Sequence, residues 1–201
     1  MVSTARRTAL ATTAERRYGA IADHIERVSR YAELIGRQLG FDTGHAALVR
    51  GATKLHDIGK IAIPDRILLK PGALTPAERV IIERHAPIGH QLLADPDSEL
   101  LTMAAMIALS HHERWDGLGH PHGLAGDKIP IEARIAAVAD VFDSLIRMRT
   151  YRPSFRIQDA IELVRAGRGT QFDPEVVDAF DASLPGIRRV RRLRPRVAPP
   201  V

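Results

Sequence analysis

The sequence predicts an all-α protein, on three observations. Apolar residues recur at steps of three and four, most clearly at Ile25, Val28, Ala32, Ile35 and Leu39, which is the spacing of one helix face. Capping residues mark helix starts, and no segment alternates convincingly as a half-buried strand does. The 201 residues, 45% of them apolar and 26% charged, suffice for one domain with its own core.

The first half of the chain predicts two helices before a loop. The first begins near Ile21 and ends at Gly40, because glycine readily adopts the conformation that terminates a helix. The second runs from about Thr43 through the segment HDIGK at 56–60. A loop follows around Pro64.

Two further helix starts are well marked. Thr75, Pro76 and Glu78 supply the N-cap, the first-turn proline and the N3 acid of a capping box. This helix is predicted to break or kink at Pro87, because proline lacks an amide proton and its ring clashes with the preceding turn. Ser98 caps the next helix.

The second half predicts a long apolar helix over residues 131–149 and a short one starting at Asp173 and Pro174. We expect residues 1–19 to form a helical or flexible lead-in, residues 20–182 the domain, and residues 183–201 a basic, disordered tail. The predicted architecture is a compact helical bundle with a site in its interior.

Composition excludes several function classes. Without cysteine, any metal must be held by imidazole and carboxylate groups. The net charge of +5 does not indicate DNA binding, because it comes from six arginines near the C-terminus: Arg188, Arg189, Arg191, Arg192, Arg194 and Arg196. No secretion signal or membrane-spanning segment is recognisable, which favours the cytoplasm.

Seven side chains stand out as candidate metal ligands. Each has an ordinary explanation alone, but Asp140 lies in an apolar helix, where an ionised carboxylate is costly unless it is paired or binds a metal. Several helices packed around one core can aim such groups at a common interior point. The seven candidates are His24, His56, Asp57, His85, His111, His112 and Asp140.

Several motifs occur in an order that resembles the HD metal-dependent phosphohydrolases. HDIGK at 56–60, together with His24 and Asp140, is similar to that superfamily. HHERWDGLGHPHGLAGDKIP, ARIAAVADVFDSL, RTYR and GTQFDPEVVDAF resemble its HD-GYP subgroup, the cyclic di-GMP phosphodiesterases. The resemblance extends from about residue 20 to residue 182.

The resemblance implies a helical domain that holds two or three divalent ions, iron or manganese. Carried over by position, His24, His56, Asp57 and Asp140 serve one ion. Asp57 bridges to a second ion, held also by three histidines: His85, His111 and His112. Two such ions clamp the attacking and leaving oxygens of a phosphoryl displacement, with a bridging hydroxide as nucleophile. Lys60 neutralises a phosphate oxygen or assists the leaving group.

The resemblance also assigns a substrate and a partner. Arg149 and Arg152 match positions that grip the dinucleotide. Members cut cyclic di-GMP to pGpG, and some continue to GMP. The sequence decides neither how far cleavage proceeds nor whether a related cyclic dinucleotide is the substrate. A regulatory sensor or receiver domain commonly accompanies this domain, and an oligomer is open.

Two departures from the family pattern matter. Ala20 stands where members with a third ion carry glutamate, which favours two ions. Gly119, His120 and Pro121 replace Gly-Tyr-Pro. We expect His120, a candidate substrate-binding residue beside Arg149 and Arg152, to substitute structurally for the tyrosine; a changed substrate preference or rate is the alternative. Direct metal binding is disfavoured, because the loop is expected to point His120 away from the ligands.

Two other functions compete with the phosphodiesterase. A cyclic di-GMP receptor or protein-interaction module could retain the fold, and the altered Gly-His-Pro loop keeps this alternative open, whereas the intact ligand set favours an enzyme. A general HD nucleotidase would explain the metal ligands but not the loop at 111–131 or the TQFDP segment.

Overall fold

The computed structural model describes residues 21–147 and 155–192. In these ranges the chain is helical, with two isolated β-bridges and no strand, so the all-α prediction is confirmed. Short 3₁₀ helices span Ile58–Ala62 and Gly126–Lys128. The α-helices are α1 Ile21–Gln38, α2 Thr43–Thr53, α3 Asp65–Leu68, α4 Pro76–Glu83, α5 His85–Leu93, α6 Glu99–Ser110, α7 Ile131–Ile146, α8 Ile157–Ala166 and α9 Pro174–Arg192.

One core joins the helices that carry the candidate ligands. Helix α1 packs against α2, α7 and α9, and α6 packs against α2, α5 and α7. Tyr31, Phe142 and Phe180 are fully buried, with ring centroids 5.8 Å apart for Tyr31 and Phe142 and 5.0 Å apart for Phe142 and Phe180. These edge-to-face contacts hold α1, α7 and α9 in fixed relative positions.

The predicted helix starts at Thr75 and Ser98 are confirmed. The Thr75 hydroxyl accepts a hydrogen bond from the Glu78 amide, and the Glu78 carboxylate accepts one from the Thr75 amide. The Ser98 hydroxyl accepts from the amide of Leu101. Both caps satisfy amides that lack a partner within the helix.

Helix α2 ends earlier than predicted. It stops at Thr53, and the segment HDIGK forms a turn and a 3₁₀ helix instead of more α-helix. The backbone at Gly59 lies directly against α5, where a β-carbon would be 2.0 Å from the carbonyl oxygen of His85. This close approach requires glycine and brings the HD pair up to the histidine that begins α5.

The predicted break at Pro87 occurs three residues earlier. Helix α4 ends at Glu83 and α5 begins at His85, with Arg84 between them. Pro87 therefore lies in the first turn of α5, where its missing amide proton costs no helical hydrogen bond. The break places His85 at the start of a new helix.

The last helix is longer than predicted. Helix α9 continues to Arg192, and Ser183 and Ile187 in it are buried, so the predicted disordered tail is wrong for residues 183–192. The apolar face of α9 packs on α1, and a β-carbon at Gly186 would lie 3.1 Å from the Leu34 side chain. Helix α7 ends at Ile146 rather than near residue 149.

The predicted lead-in at 1–19, Ala20 and the end of the tail at 193–201 lie outside the described residues. Among the helices that the structure describes, none combines the length and the apolar character needed to cross a bilayer.

Candidate metal centre

The HD pair projects from the turn after α2. His56 is buried, and its Nδ1 donates to the Thr53 carbonyl oxygen over 2.8 Å. Because a carbonyl only accepts, the Nδ1 carries a proton, which leaves the Nε2 as the nitrogen that can bind a metal. Backbone bonding thus orients a nitrogen of His56 for metal binding.

Two histidines from α5 and the end of α6 are held in the same way. The Nδ1 of His85 donates to the carbonyl of Ile82 over 2.6 Å, and the Nδ1 of His111 lies 3.0 Å from the carbonyl of Ile107. Their Nε2 atoms lie 3.4 Å and 3.8 Å from Oδ1 of Asp57. Four residues with a ligand atom each come together here: Asp57, His85, His111 and His112. We call them the Asp57 group.

A second set of ligand atoms lies beside the first. The Nε2 of His24, from α1, is 3.3 Å from Oδ1 of Asp140, from α7, and the Nε2 of His56 is 3.9 Å from the same oxygen. We call His24, His56 and Asp140 the His24 group. Within each group the ligand atoms all lie within 4.8 Å of one another.

Asp57 also faces the His24 group, through its second carboxylate oxygen. Its Oδ2 faces the Nε2 of His56 at 3.4 Å and the Lys60 ammonium, while its Oδ1 faces His85 and His111. One carboxylate therefore presents a separate oxygen to each set of ligand atoms. This is the geometry that a carboxylate shared between two cations needs.

The pKa shifts in the Asp57 group favour neutral histidines and an ionised aspartate. Burial lowers the pKa of His85, His111 and His112, and that of His112 falls to about 3. Burial alone would raise the pKa of Asp57, but Lys60 and the surrounding histidines hold it well below its usual value. Neutral imidazoles and an ionised carboxylate are the states that bind metal ions.

The His24 group has the opposite electrostatics. Burial alone would lower the pKa of His24, but hydrogen bonds to Asp140 and Asp143 raise it to about 9. The same bond from His24 keeps the pKa of Asp140 low against the effect of burial. A cation bound at this group must therefore displace a proton from His24.

The described residues fit a divalent cation at each group. His56 Nε2, Asp57 Oδ1 and His111 Nε2 are buried and make no hydrogen bond. Unsatisfied buried polar atoms are costly, and a cation would satisfy all three. Imidazole and carboxylate ligands suit first-row divalent metals.

The structure adds Asp143 and Arg27, which the sequence analysis missed. Asp143 is fully buried, lies 2.7 Å from Nδ1 of His24, and accepts from Nε and Nη2 of Arg27 over 2.7 Å and 2.8 Å. Each lies three residues after a candidate ligand, on the same helix face. That spacing from His24 and Asp140 was the available signal.

The loop after α6 is fastened at several points. The buried Glu113 carboxylate accepts from the amides of His122 and Leu124 over 2.8 Å and 3.0 Å. The Asp116 amide donates to the carbonyl of Thr170 over 2.8 Å, which ties the loop to the TQFDP segment. A β-carbon at Gly119 would lie 2.4 Å from the Arg114 nitrogen, so the close approach requires glycine.

His120 points toward the ligands, contrary to expectation. Its ring stacks on that of His112, with centroids 4.8 Å apart and an interplanar angle of 29°, and its amide donates to the His112 carbonyl over 3.2 Å. Its Nδ1 is buried and makes no hydrogen bond. The loop folds back over the end of α6 and brings the ring with it. Arg149 and Arg152 lie outside the described residues.

A family model described as HD domain matches residues 8–176, most of the chain. The chain belongs to the HD domain family. The chain is 46% identical over 171 residues to the Xanthomonas campestris "Cyclic di-GMP phosphodiesterase response regulator RpfG". The match covers 85% of this chain and 45% of that protein. The Vibrio cholerae "3'3'-cGAMP-specific phosphodiesterase 2" is 40% identical, over 88% of this chain and 36% of its own. The chain thus spans less than half the length of these relatives.

A solved HD domain structure agrees with the fold. An HDG"Y"P protein from Bdellovibrio bacteriovorus, Bd1817, superposes with a TM-score of 0.64 at 21% identity, covering 81% of this chain and 52% of that chain. The predicted resemblance to HD-GYP proteins is confirmed.

Proposed function

We propose that this chain is a metal-dependent phosphodiesterase that hydrolyses cyclic di-GMP to pGpG, and onward to GMP if the linear product can rebind. The observation that carries the proposal is the position of Asp57, which presents one carboxylate oxygen to each of two ligand groups. Relatives of 40–46% identity named as cyclic dinucleotide phosphodiesterases support the reaction class.

Seven residues would hold two divalent ions, for which we propose iron or manganese. The His24 group would hold one, the Asp57 group the other, and Asp57 would contact both. Two ions bound there would supply Lewis acidity toward a phosphate oxygen and lower the pKa of a bound water.

Lys60 is proposed to act on the substrate. Its ammonium pairs with Asp57, and its side chain is one-third exposed, so it lies where the buried ligands meet solvent. It would neutralise a phosphate oxygen or donate a proton to the leaving oxygen, because an ammonium supplies both charge and donors.

The loop carrying His120 is proposed to shape the substrate side. The buried Glu113 carboxylate fixes the backbone of this loop, and the stacking on His112 fixes the His120 ring. The imidazole would replace the signature tyrosine as a ring with a hydrogen-bonding atom. Arg149 and Arg152 remain our candidates for gripping the dinucleotide.

The decisive test measures turnover. We expect protein loaded with iron or manganese under reducing, anaerobic conditions to convert cyclic di-GMP to pGpG, resolved from GMP by chromatography. Parallel reactions with 3'3'-cGAMP test the specificity named for one relative. We also propose a regulatory domain as a partner. Adding a receiver domain in trans tests whether it changes the turnover of cyclic di-GMP.

Asp57→Ala should abolish turnover, whereas Asp97→Ala, at an exposed aspartate after α5, should leave it intact. Binding of cyclic di-GMP without turnover would overturn the enzyme and support the receptor. Turnover that survives in Asp57→Ala would overturn the two-cation mechanism instead.

A further inference from the structure

A cavity lies between α8 and α9. Its volume is about 480 Å³, and Ile157, Gln158, Arg188, Arg191 and Arg192 line it; we call it the basic pocket. None of the seven candidate metal ligands lines it. Ligand pockets commonly measure roughly 300 to 1,000 Å³, so the basic pocket is large enough for a mononucleotide.

The three arginines share one face of α9. Their spacing of three and four residues along the helix brings Arg188, Arg191 and Arg192 together. Over residues 21–147 and 155–192, no ion pair to a carboxylate is found for any of them, whereas Arg165 and Arg168, just before α9, pair with Asp181 and Asp178 in it. The pocket therefore concentrates positive charge that the described structure does not neutralise.

One guanidinium nitrogen is also unsatisfied. The Nη1 atom of Arg191 is buried and makes no hydrogen bond. A buried charged donor without an acceptor is costly. Because this nitrogen is closed to solvent, a ligand in the pocket would meet the rest of Arg191 and the exposed side chains of Arg188 and Arg192. Guanidinium groups bind phosphate with two parallel hydrogen bonds.

A helix N-terminus also lines the pocket. Ile157 and Gln158 are the first two residues of α8, and the N-cap residue Arg156 makes no side-chain capping bond. Their amides have no partner within the helix, and the helix dipole places positive potential there. The nearby carboxylate of Asp159 is engaged by the guanidinium of Arg156.

The segments that flank α8 and α9 in the sequence are basic as well. Residues 148–154 and 193–201 contain no aspartate or glutamate, and they add four arginines: Arg149, Arg152, Arg194 and Arg196. The chemistry of the pocket is therefore that of an anion site with one apolar contact, Ile157, and one amide, Gln158.

We propose that the basic pocket binds the phosphate group of a small phosphorylated ligand of mononucleotide size, at a site separate from the metal centre. The arginines bind the phosphate together with the first amides of α8. Ile157 and Gln158 contact the rest of the ligand. Neither metal ions nor phosphodiester hydrolysis is needed for this binding.

Calorimetric titration of the full, metal-loaded chain tests the site. The probes are 5′-GMP and inorganic phosphate. Arg191→Gln should weaken binding at least about tenfold, which corresponds to about 1.4 kcal/mol. Arg189→Gln removes the same charge from an exposed residue of α9 that does not line the pocket, and it should bind within about twofold of the wild type.

Two comparisons separate the outcomes. GMP binding at least tenfold tighter than phosphate would identify a nucleotide as the ligand, and equal affinities would identify phosphate alone. Repeating the titrations in an Asp57→Asn background distinguishes the metal centre, which would be affected by Asp57→Asn but not by Arg191→Gln.

Equal affinities of the Arg191 and Arg189 variants, or no binding dependent on Arg191, would overturn the proposal. If Arg191→Gln fails to fold by circular dichroism, Arg188→Gln at an exposed pocket residue replaces it. A normal affinity in a folded Arg188→Gln variant would then count against the site.

Discussion

The two ligand groups differ in how their buried charged groups are balanced. In the His24 group, a protonated histidine lies between two carboxylates, and Arg27 balances the inner one. In the Asp57 group, three histidines of lowered pKa surround one acid. In the first group His24 is paired with carboxylates and the Nε2 of His56 makes no hydrogen bond, whereas in the second group both Asp57 Oδ1 and His111 Nε2 make none.

The His24 group is therefore held mainly by its own ion pairs, whereas the Asp57 group is arranged to bind a cation. In the His24 group the pairs of His24 with Asp140 and Asp143 form without a metal, so removing one partner leaves a buried charge uncompensated. The Asp57 group has neutral nitrogens aimed at one carboxylate oxygen, and it gains its missing partner only from a cation. Five predictions test the contrast.

The largest effect is expected for His111→Gln. Loss of one Asp57-group ligand should lower the metal content from about two ions per chain to about one and reduce turnover about a thousand-fold, the scale of losing a group that stabilises transition-state charge. Metal analysis and kinetics measure both. His122→Gln, on the exposed part of the loop, is the control. Two retained ions would show that the groups are not separate.

Asp143→Asn should break ion pairs that hold the His24 group. Removing a buried charge leaves Arg27 without this carboxylate and His24 with Asp140 alone, so we expect a loss of about 3 kcal/mol of folding free energy in metal-free protein. The control Asp159→Asn breaks an exposed ion pair and should cost less than about 1 kcal/mol. Urea unfolding measures both. Equal small losses would mean that Asp143 does not support the group.

Metal binding should also show that Asp143 positions the ring of His24. In Asp143→Asn the affinity of the His24 group for its ion should fall about 10- to 100-fold, as for other residues that orient a ligating histidine. The Asp57 group should keep its ion. An effect on both groups alike would indicate general unfolding instead.

The two groups should respond to pH in separate windows. The histidines of the Asp57 group have lowered pKa values, so the unfolded chain binds more protons as pH falls below about 6.5, and stability decreases. His112 alone should cost about 2 kcal/mol by pH 5. His24, with its pKa raised to about 9, stabilises fully below about pH 6.5 and loses this contribution as pH rises through 9.

Urea unfolding of the metal-free protein at pH 5, 7 and 9.5 measures these windows. Stability should fall at both ends, and Asp143→Asn should reduce the alkaline loss without changing the acid one. A flat profile between pH 7 and 5 would contradict the neutral state of the Asp57 group.

The smallest effect is expected for His120→Tyr. Because His120 stacks on His112 without joining either ligand group, metal content should not change. The kcat/KM for cyclic di-GMP should change by less than about tenfold, or about 1.4 kcal/mol. A loss of one metal ion would instead identify His120 as a ligand.

Local patterns were sufficient for much of the fold. The capping box at Thr75 and the cap at Ser98 involve residues three positions apart, so their bonds follow from the sequence itself. The end of α2 and the length of α9 were mispredicted, because both depend on distant contacts: Gly59 lies against α5, and Gly186 lies against Leu34. Tertiary packing commonly overrides local preference in this way.

The sequence by itself determined the all-α class and the kinds of ligand, since residue type and helical spacing are local properties. Only the tertiary structure decided which ligand atoms meet, because His24, Asp57, His85 and Asp140 come from segments far apart in the chain. It likewise decided that His120 faces the ligands and that Asp143 holds His24. Burial then set the pKa values, since they depend on neighbours that only the packed helices bring together.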